Sequence, residues 1–260
     1  MNFELPAYLS DPSARILDAG GWFIPLQGAT HVIDIMPYET RRGRLAQVPE
    51  PGERFTRATW TQIDFLRPDL RLPYPDGFFD FVYCGHTLED LADPVPLLRE
   101  FTRVARAGRI VSPSRYVEQT CGVRDRATRQ PGHPHHHWII DIGSEGIEFS
   151  RKSVSVEAFN CLIPLMTYER LTQNAPGLAC LEWLWQGPIR WQFCDDNTAR
   201  VRARAIVAAL GISHVTWCHD AAQRAARRVR DQVLRRRVDD PAAWWQQMLA
   251  LSRPYSTLPI

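Results

Sequence analysis

Three aspartates stand at or near the ends of short apolar runs, and their spacing suggests one kind of chemistry. Asp18 closes Arg15-Ile16-Leu17-Asp18 and is followed by Ala19-Gly20-Gly21. Asp34 lies in Val32-Ile33-Asp34-Ile35, and Asp64 in Gln62-Ile63-Asp64-Phe65. Nearly continuous apolar runs of this length predict strands buried on both faces, as in a parallel sheet covered by helices. A ligand laid across the carboxyl ends of such strands meets the residues just beyond them. Glycines there let the backbone come close to the ligand. A carboxylate after the second strand suits the two hydroxyls of a ribose, and one after the third can accept from the amine of adenine. Neither G-x-G-x-x-G nor G-K-[ST] occurs, so there is no phosphate cradle. An adenosine ligand without phosphates fits better than a dinucleotide or ATP.

The elements that must position these groups are readable. Phe78 to Cys84 and Arg109-Ile110-Val111-Ser112 predict a fourth and a fifth strand. Between them lies a helix, with Asp93 as N-cap, Pro94 in the first position and Leu97, Leu98, Phe101 and Val104 on one face. Gly108 is expected to end it. Strand, helix and strand make a βαβ unit, right-handed by rule. Residues 116–137 have no apolar period and read as a loop or lid. Ile139 to Phe149 predicts a hairpin turning at Gly143-Ser144-Glu145-Gly146, and Leu181 to Phe193 a second one turning near Gln186-Gly187-Pro188. Both are expected as antiparallel additions to the sheet. From Asp196 the pattern is helical, with an apolar stripe of Ala222, Ala226, Val229 and Val233 opposite Arg224, Arg228 and Arg235. Asp240-Pro241 begins a last short helix carrying Trp244 and Trp245. The expected division is a ligand-binding core over 1–115, a lid with antiparallel additions over 116–195, and a helical C-terminal extension over 196–260.

Composition narrows the function classes. Of 260 residues, 45% are apolar and 23% charged, an ordinary globular balance. The 31 basic and 29 acidic residues leave a net charge of +2, so the whole chain makes no case for a nucleic-acid binder. Lys152 is the only lysine, a bias that fits a GC-rich genome. No apolar run of about 18 residues exists to span a membrane, and Met1 to Ser10 lacks a basic leader. A cytoplasmic protein is expected, and on that reading the six cysteines, none in a C-x-x-C pair, are most simply free thiols. The arginines at 224, 227, 228, 230, 235, 236 and 237 make a local basic surface, read first as a solvated helix face. Contact with RNA, anionic lipid or a phosphorylated acceptor is the other reading. Trp183, Trp185 and Trp191 read as a substrate wall, as core, or as a homodimer contact.

Several ordered segments resemble the class I S-adenosylmethionine-dependent methyltransferases. Leu72-Pro73-Tyr74-Pro75-Asp76-Gly77-Phe78-Phe79-Asp80-Phe81-Val82 is similar to that family's "LPFpDgSFDvV". His86-Thr87-Leu88-Glu89-Asp90-Leu91-Ala92-Asp93-Pro94 resembles "HvLEHlpDP", and Glu100-Phe101-Thr102-Arg103-Val104 resembles "ElxRVL". The resemblance covers roughly 14–115 and implies a Rossmann-like methyltransferase fold with S-adenosylmethionine as cofactor. It implies that Asp18, Gly20 and Gly21 line the methionine end, that Asp34 binds the ribose hydroxyls, and that Asp64 with the Phe65 backbone holds the adenine. His86 would lie near the sulfonium.

The chain also departs from the family. The last glycine of D/E-x-G-x-G is Trp22, and the second histidine of "HvLEH" is Asp90. Only Trp22 to Thr30 separate Gly21 from His31, too short for the usual helix and its loops. A subset with a "GxxPxPxA" connection is similar here at Phe23 to Ala29. The same subset carries G-x-P-x-H-x-W, matched by Gly132, Pro134, His136 and Trp138. Methyl transfer to a neutral hydroxyl needs a proton acceptor, and a histidine with pKa near 6.5 suits the task. His136 is the first candidate and His86 the second, although His86 can equally hydrogen-bond a strand end. The cluster His133 to His137 reads as an exposed polar loop, an acceptor-site element or a metal site. No Asp or Cys at ligand spacing completes a metal set, so none is assigned. The expected reaction is methyl transfer to an O or N atom of a small molecule or saccharide. The alternatives are a degenerate member acting as a binding scaffold, and an RNA methyltransferase using the arginine helix.

Overall fold

The computed structural model describes residues 5–43, 51–124, 126 and 129–233. After a short helix α1 (Leu5–Ser10), the five apolar runs become β1 (Ile16–Ala19), β2 (His31–Asp34), β3 (Trp60–Gln62), β4 (Phe81–Gly85) and, after helix α2 (Val95–Val104), β5 (Ala107–Pro113). Each lies within three residues of its expected bounds. All four pairings among them are parallel, in the order β3-β2-β1-β4-β5. The order reverses between β1 and β4, which makes their carboxyl ends the switch point of a doubly wound sheet. Ile16, Leu17, Val32, Ile33, Phe81 and Val82 are buried, as strands covered on both faces require.

The α2 sequence explains why its flanking segments have the residues they do. The helix starts one residue later than expected, with Pro94 at the N-cap, and Asp93 Oδ1 just before it accepts from Val95 N at 2.9 Å. Leu97, Leu98, Phe101 and Val104 are all buried, each contributing about 1.5–3 kcal/mol of burial. On the adjoining face, Glu100 Oε2 accepts from Leu72 N at 2.7 Å. Arg103 donates to Tyr74 O at 2.7 Å, Leu72 O at 3.0 Å and Asp76 Oδ1 at 2.9 Å, and pairs with Glu100. Thus α2 clamps the 72–76 segment that leads into β4. Asp80 then fixes the start of β1, accepting from Arg15 N at 2.9 Å while its own N–H donates to Arg15 O. The helix ends at Val104, before Gly108, which lies inside β5. A side chain at Gly108 would meet Val82 O at 2.5 Å and the Trp185 ring at 2.7 Å. Trp185 is therefore core.

The chain forms two compact units. The first comprises the described residues up to Val111 together with Glu182–Ile189; the second comprises Ser112–Leu181 and the described residues from Arg190 on. The second holds α3 (Arg115–Glu118), β6 (Trp138–Gly143), β7 (Gly146–Arg151), α4 (Lys152–Val156) and α5 (Leu165–Asn174). The chain continues through β8 (Cys180–Gln186), β9 (Trp191–Phe193), α6 (Asp196–Ala209) and α7 (His214–Val233). β6 and β7 are the expected hairpin, with Gly143 opposite Gly146. They do not extend the large sheet, however; with β9 they make a separate three-stranded sheet, β6-β7-β9.

The second expected hairpin does not form. β8 joins β5 at the edge of the large sheet, whereas β9 pairs parallel with β7. Gly187 N donates to Arg106 O at 3.0 Å and Ile189 N to Thr102 Oγ1 at 3.2 Å, so the segment after β8 is held along the α2–β5 corner and does not turn back.

The stripe expected on α7 is also reversed. Ala222 and Ala226 are exposed and Val229 is 60% exposed, while Arg224 is buried at 5%. The buried face is Trp217, Asp220 and Arg224. Asp220 Oδ1 accepts from Met166 N at 3.1 Å at the start of α5, Arg224 pairs with Asp220, and Arg227 reaches Glu169 at 3.1 Å. These ionic contacts outweigh the small burial an alanine stripe offers. The side chains of Arg228, Arg230, Val233 and Arg235 to Arg237, and the last helix with Trp244 and Trp245, lie outside the described residues.

Removing Arg103 leaves the buried Glu100 carboxylate with Leu72 N and the more distant, largely exposed Arg71. Arg103→Ala is expected to lower stability by about 3 kcal/mol in urea denaturation. A loss below about 1 kcal/mol would mean that the clamp on residues 72–76 contributes little.

Candidate functional site

The connection from β1 to β2 contains no helix. It is closed by the two carboxylates that the sequence singled out. Asp18 Oδ2 accepts from Leu26 N at 2.7 Å. Asp34 Oδ2 accepts from Trp22 N at 3.1 Å, and its Oδ1 from Met36 N at 2.8 Å. Thr30 N returns to Ile16 O at 2.9 Å, and Gly20 N donates to Ile33 O at 2.9 Å. The Trp22 indole donates to Thr40 O at 2.7 Å. Asp18 and Asp34 are both nearly inaccessible, and burial pushes each carboxyl up to about 7. For Asp18, the charge of Asp34 adds to the rise.

The glycines beside these acids cannot be replaced. Gly20 has φ +81°, and a side chain there would overlap the Thr87 hydroxyl. A side chain on Gly21 would overlap the Asp18 carboxylate. The loop is thus a bare-backbone cradle between two acids at the carboxyl ends of β1 and β2. Each carboxylate has lone pairs beyond the amides it already accepts from. A ribose diol or a cationic amino-acid end is the kind of group such a cradle takes. The residues present fit S-adenosylmethionine.

Asp64 follows β3 and is half-buried; its Oδ1 accepts from Leu66 N at 2.8 Å, and Phe65 is buried. β3 ends at Gln62, so Asp64 lies two residues beyond the strand, and Ile63 N donates to Asp34 O at 2.8 Å.

His86 lies just past β4 in a left-handed conformation, φ 53°, with its N–H on Val111 O at 2.8 Å. Its side chain is 53% exposed, and Nδ1 stands 3.5 Å from Glu89 Oε1. The Glu89 carboxylate beside it raises the imidazole above its usual value, against partial burial. Glu89 itself is buried at 1%. The sequence had shown Glu89 only as one letter of a motif.

Comparison with known proteins bears on the first unit. Residues 20–112 match the family described as "Methyltransferase domain". Over these residues the chain is similar to a methyltransferase domain. The match includes Gly20, Gly21, Asp34, Asp64, Phe65 and His86. Ajmaline N-methyltransferase from Rauvolfia serpentina is 31% identical over 108 residues, 41% of this chain and 32% of that enzyme. The chain therefore spans about a third of the length of this curated relative. Among solved structures, an S-adenosylmethionine-dependent methyltransferase from Mesorhizobium loti aligns over 73% of each chain at 16% identity, with a TM-score of 0.29. One from Aquifex aeolicus aligns over 39% of this chain and 57% of its own at 16% identity, with a TM-score of 0.26. No helix among the described residues is long and apolar enough to cross a membrane.

His136 belongs to the second unit. Its side chain is 7% exposed, and Nδ1 lies 2.8 Å from Glu118 Oε1. Glu118 Oε2 meets Lys152 Nζ at 2.6 Å. Burial alone would raise Glu118, yet the His136 hydrogen bond and the Lys152 charge together hold it below its usual value. Burial first, and then neighbouring positive groups, lower His133, and take His135 down to about 4. Nothing in the spacing of Glu118 pointed to this pairing. The unit also has a cavity of about 440 Å³ lined in part by Arg115, Asp141, Glu148 and Arg202, with Arg115 paired to Asp141 and Arg202 to Glu148.

The raised acids make a prediction about the protein without ligand. A carboxyl held above its unfolded value favours the fold at low pH, and that contribution is lost as pH rises through the folded pKa. Between pH 4 and pH 7 Asp18 therefore removes up to about 4 kcal/mol. Asp18→Asn, which can still accept from Leu26 N, is expected to exceed the parent in stability above pH 7 and to match it near pH 4. Equal margins at both pH values in urea titrations would refute the burial account.

Proposed function

We propose that the protein is an S-adenosylmethionine-dependent methyltransferase acting on an O or N atom of a small molecule or saccharide. The observation that carries this reading is the cradle of Asp18, Gly20, Gly21 and Asp34, which opens the segment similar to a methyltransferase domain, with all but Asp18 inside the matched residues 20–112. Asp34 would accept from the ribose hydroxyls. Asp18 and the Gly20–Gly21 backbone would receive the methionine end, and Asp64 with the Phe65 backbone would bind the adenine. When bound, the cofactor supplies an electrophilic methyl group on a sulfonium. Similarity to ajmaline N-methyltransferase supports a small-molecule acceptor.

A neutral acceptor must lose a proton, and this chain offers two imidazoles held by buried glutamates. His86, in the same unit as the cradle, is the base we favour on the structure, with Glu89 strengthening it. His136, with Nδ1 turned to Glu118, would use Nε2 as a second proton acceptor. An RNA acceptor is less well supported, because Arg224 and Arg227 are engaged with Asp220 and Glu169.

Calorimetry with S-adenosylmethionine and S-adenosylhomocysteine tests the cofactor. Binding of at least one is expected. Asp34→Ala should weaken it about 10–100-fold, the worth of one or two hydrogen bonds to a charged group. No heat with either ligand from folded protein would leave a scaffold. The base has its own test once an acceptor is found. The acidic limb of the kcat profile should lie above pH 6.5 and move down in Glu89→Gln, because the neutral amide no longer raises His86. An unmoved limb would exclude His86 as the base.

A further inference from the structure

The only lysine of the chain, Lys152, sits beneath a group of side chains that a cofactor cradle does not use. We propose that His133, His135 and His136 bind a divalent transition-metal ion of the zinc class. This goes beyond methyl transfer and does not rest on it.

The ligand atoms of the three side chains all lie within 4.8 Å of one another. Nitrogens around a tetrahedral zinc, at about 2.0–2.1 Å from the ion, stand about 3.3 Å apart. The rings must therefore close by about 1.5 Å at most, within reach of side-chain rotation at one exposed and two half-buried residues. Three imidazoles suit zinc-class ions, and three protein ligands leave a fourth position for water or an incoming oxygen.

The support beneath the cluster is built. Glu118, 1% exposed, takes His136 Nδ1 at 2.8 Å, so Nε2 is the nitrogen that would ligate. A carboxylate behind a histidine is the usual outer partner of a metal ligand; it fixes the tautomer and ring orientation. Lys152 holds Glu118 from the other side at 2.6 Å and also donates to His133 O. Lys152 N donates to His137 O at 3.0 Å, His136 N to His133 O at 3.2 Å, and Gly132 N to Thr120 O at 2.9 Å. Gly132, at φ +53°, has no room for a side chain against Glu118. The loop is therefore tied at both ends and in the middle.

Among the described residues, Lys152 and Arg124 are cations that face the cluster. The charge of Lys152 is matched by Glu118. Arg124 is exposed, and its Nη1 lies 3.2 Å from His135 Nδ1. Arginine can only donate, whereas a ligating Nε2 needs the proton on Nδ1, so Arg124 must swing away when the ion enters. It opposes binding by charge as well. In the loaded protein His136 is a ligand and cannot take a proton from an acceptor; that step is then left to His86.

The test uses the full chain without an affinity tag, titrated with Zn²⁺ by calorimetry and by competition with a chromogenic chelator. Co²⁺ reports geometry through its visible absorption. One equivalent is expected, with a tetrahedral Co²⁺ spectrum. His135→Ala and His133→Ala should abolish it, and Glu118→Gln should weaken it about 10–100-fold. Arg124→Ala should tighten it, and His137→Ala, which alters an exposed histidine outside the set, should leave it unchanged. Circular dichroism and S-adenosylhomocysteine binding check that each variant is folded. No stoichiometric uptake, or a loss in His137→Ala equal to that in His135→Ala, would overturn the proposal. So would an Arg124→Ala variant that binds no more tightly than the parent.

Discussion

Two buried carboxylates hold β1 and β2 together by way of a connection that contains no helix. Parallel strands need a crossover, and the ordinary solution is a helix whose apolar face covers the sheet. From Gly20 to Thr30 this chain is too short for one. Asp18 and Asp34 replace it by accepting from Leu26 N and Trp22 N, while Gly20 and Thr30 close the ends on Ile33 and Ile16. The consequence is electrostatic. Both acids are buried at the switch point of the sheet, where each gains only a few amide hydrogen bonds for its charge. Ionisation there is costly until further donors arrive. In the proposed complex, a ligand bringing hydroxyls or a positive end would relieve that cost.

The rest of the first unit keeps the cradle in register. Asp80 ties the start of β4 to Arg15 at the start of β1, which sets the two strands on either side of the switch point. Glu100 and Arg103 of α2 hold the segment before β4. Thr87, after β4, donates to Ala19 O at 3.3 Å and leaves no room for a side chain on Gly20. The most recognisable letters of the sequence are therefore mostly structural. They fix where the ends of β1, β2 and β4 stand, and the residues that would touch a ligand are fewer and less distinctive.

That division explains what could be read in advance. The parallel strands and α2 were legible because each rests on a local apolar pattern, and the turn at Gly143 to Gly146 because its residues suit a hairpin. The separation of β8 from β9 was not. Gln186-Gly187-Pro188 has good turn chemistry, but the contacts that decide its course lie at Thr102, Arg106 and Gly108, far away in sequence. The α7 stripe failed for a related reason. Alanine buries little, and an arginine with an aspartate four residues earlier can be buried as a pair when that aspartate also caps a neighbouring helix. That Asp18, Asp34 and the glycines meet at the carboxyl ends of β1 and β2 was legible, because order along the chain reflects order at the sheet edge. Glu118 was not, since no rule of spacing joins it to His136.

The two histidines singled out from the sequence share one device and differ in how it is balanced. Each imidazole presents Nδ1 to a buried glutamate. Glu89 stands 3.5 Å from His86, and its negative charge makes the ring a stronger base. Glu118 gives one oxygen to His136 and the other to Lys152, so its charge is matched by an ammonium before the ring is counted. It orients the imidazole within a fully paired network. An unmatched carboxylate behind a half-exposed ring suits proton abstraction. A matched carboxylate behind a ring with two imidazole neighbours suits holding a cation, because it aims the ring while its own charge is already paired with Lys152. Under the two proposals, the different partners of the glutamates, and not the histidines themselves, separate the roles of the two rings.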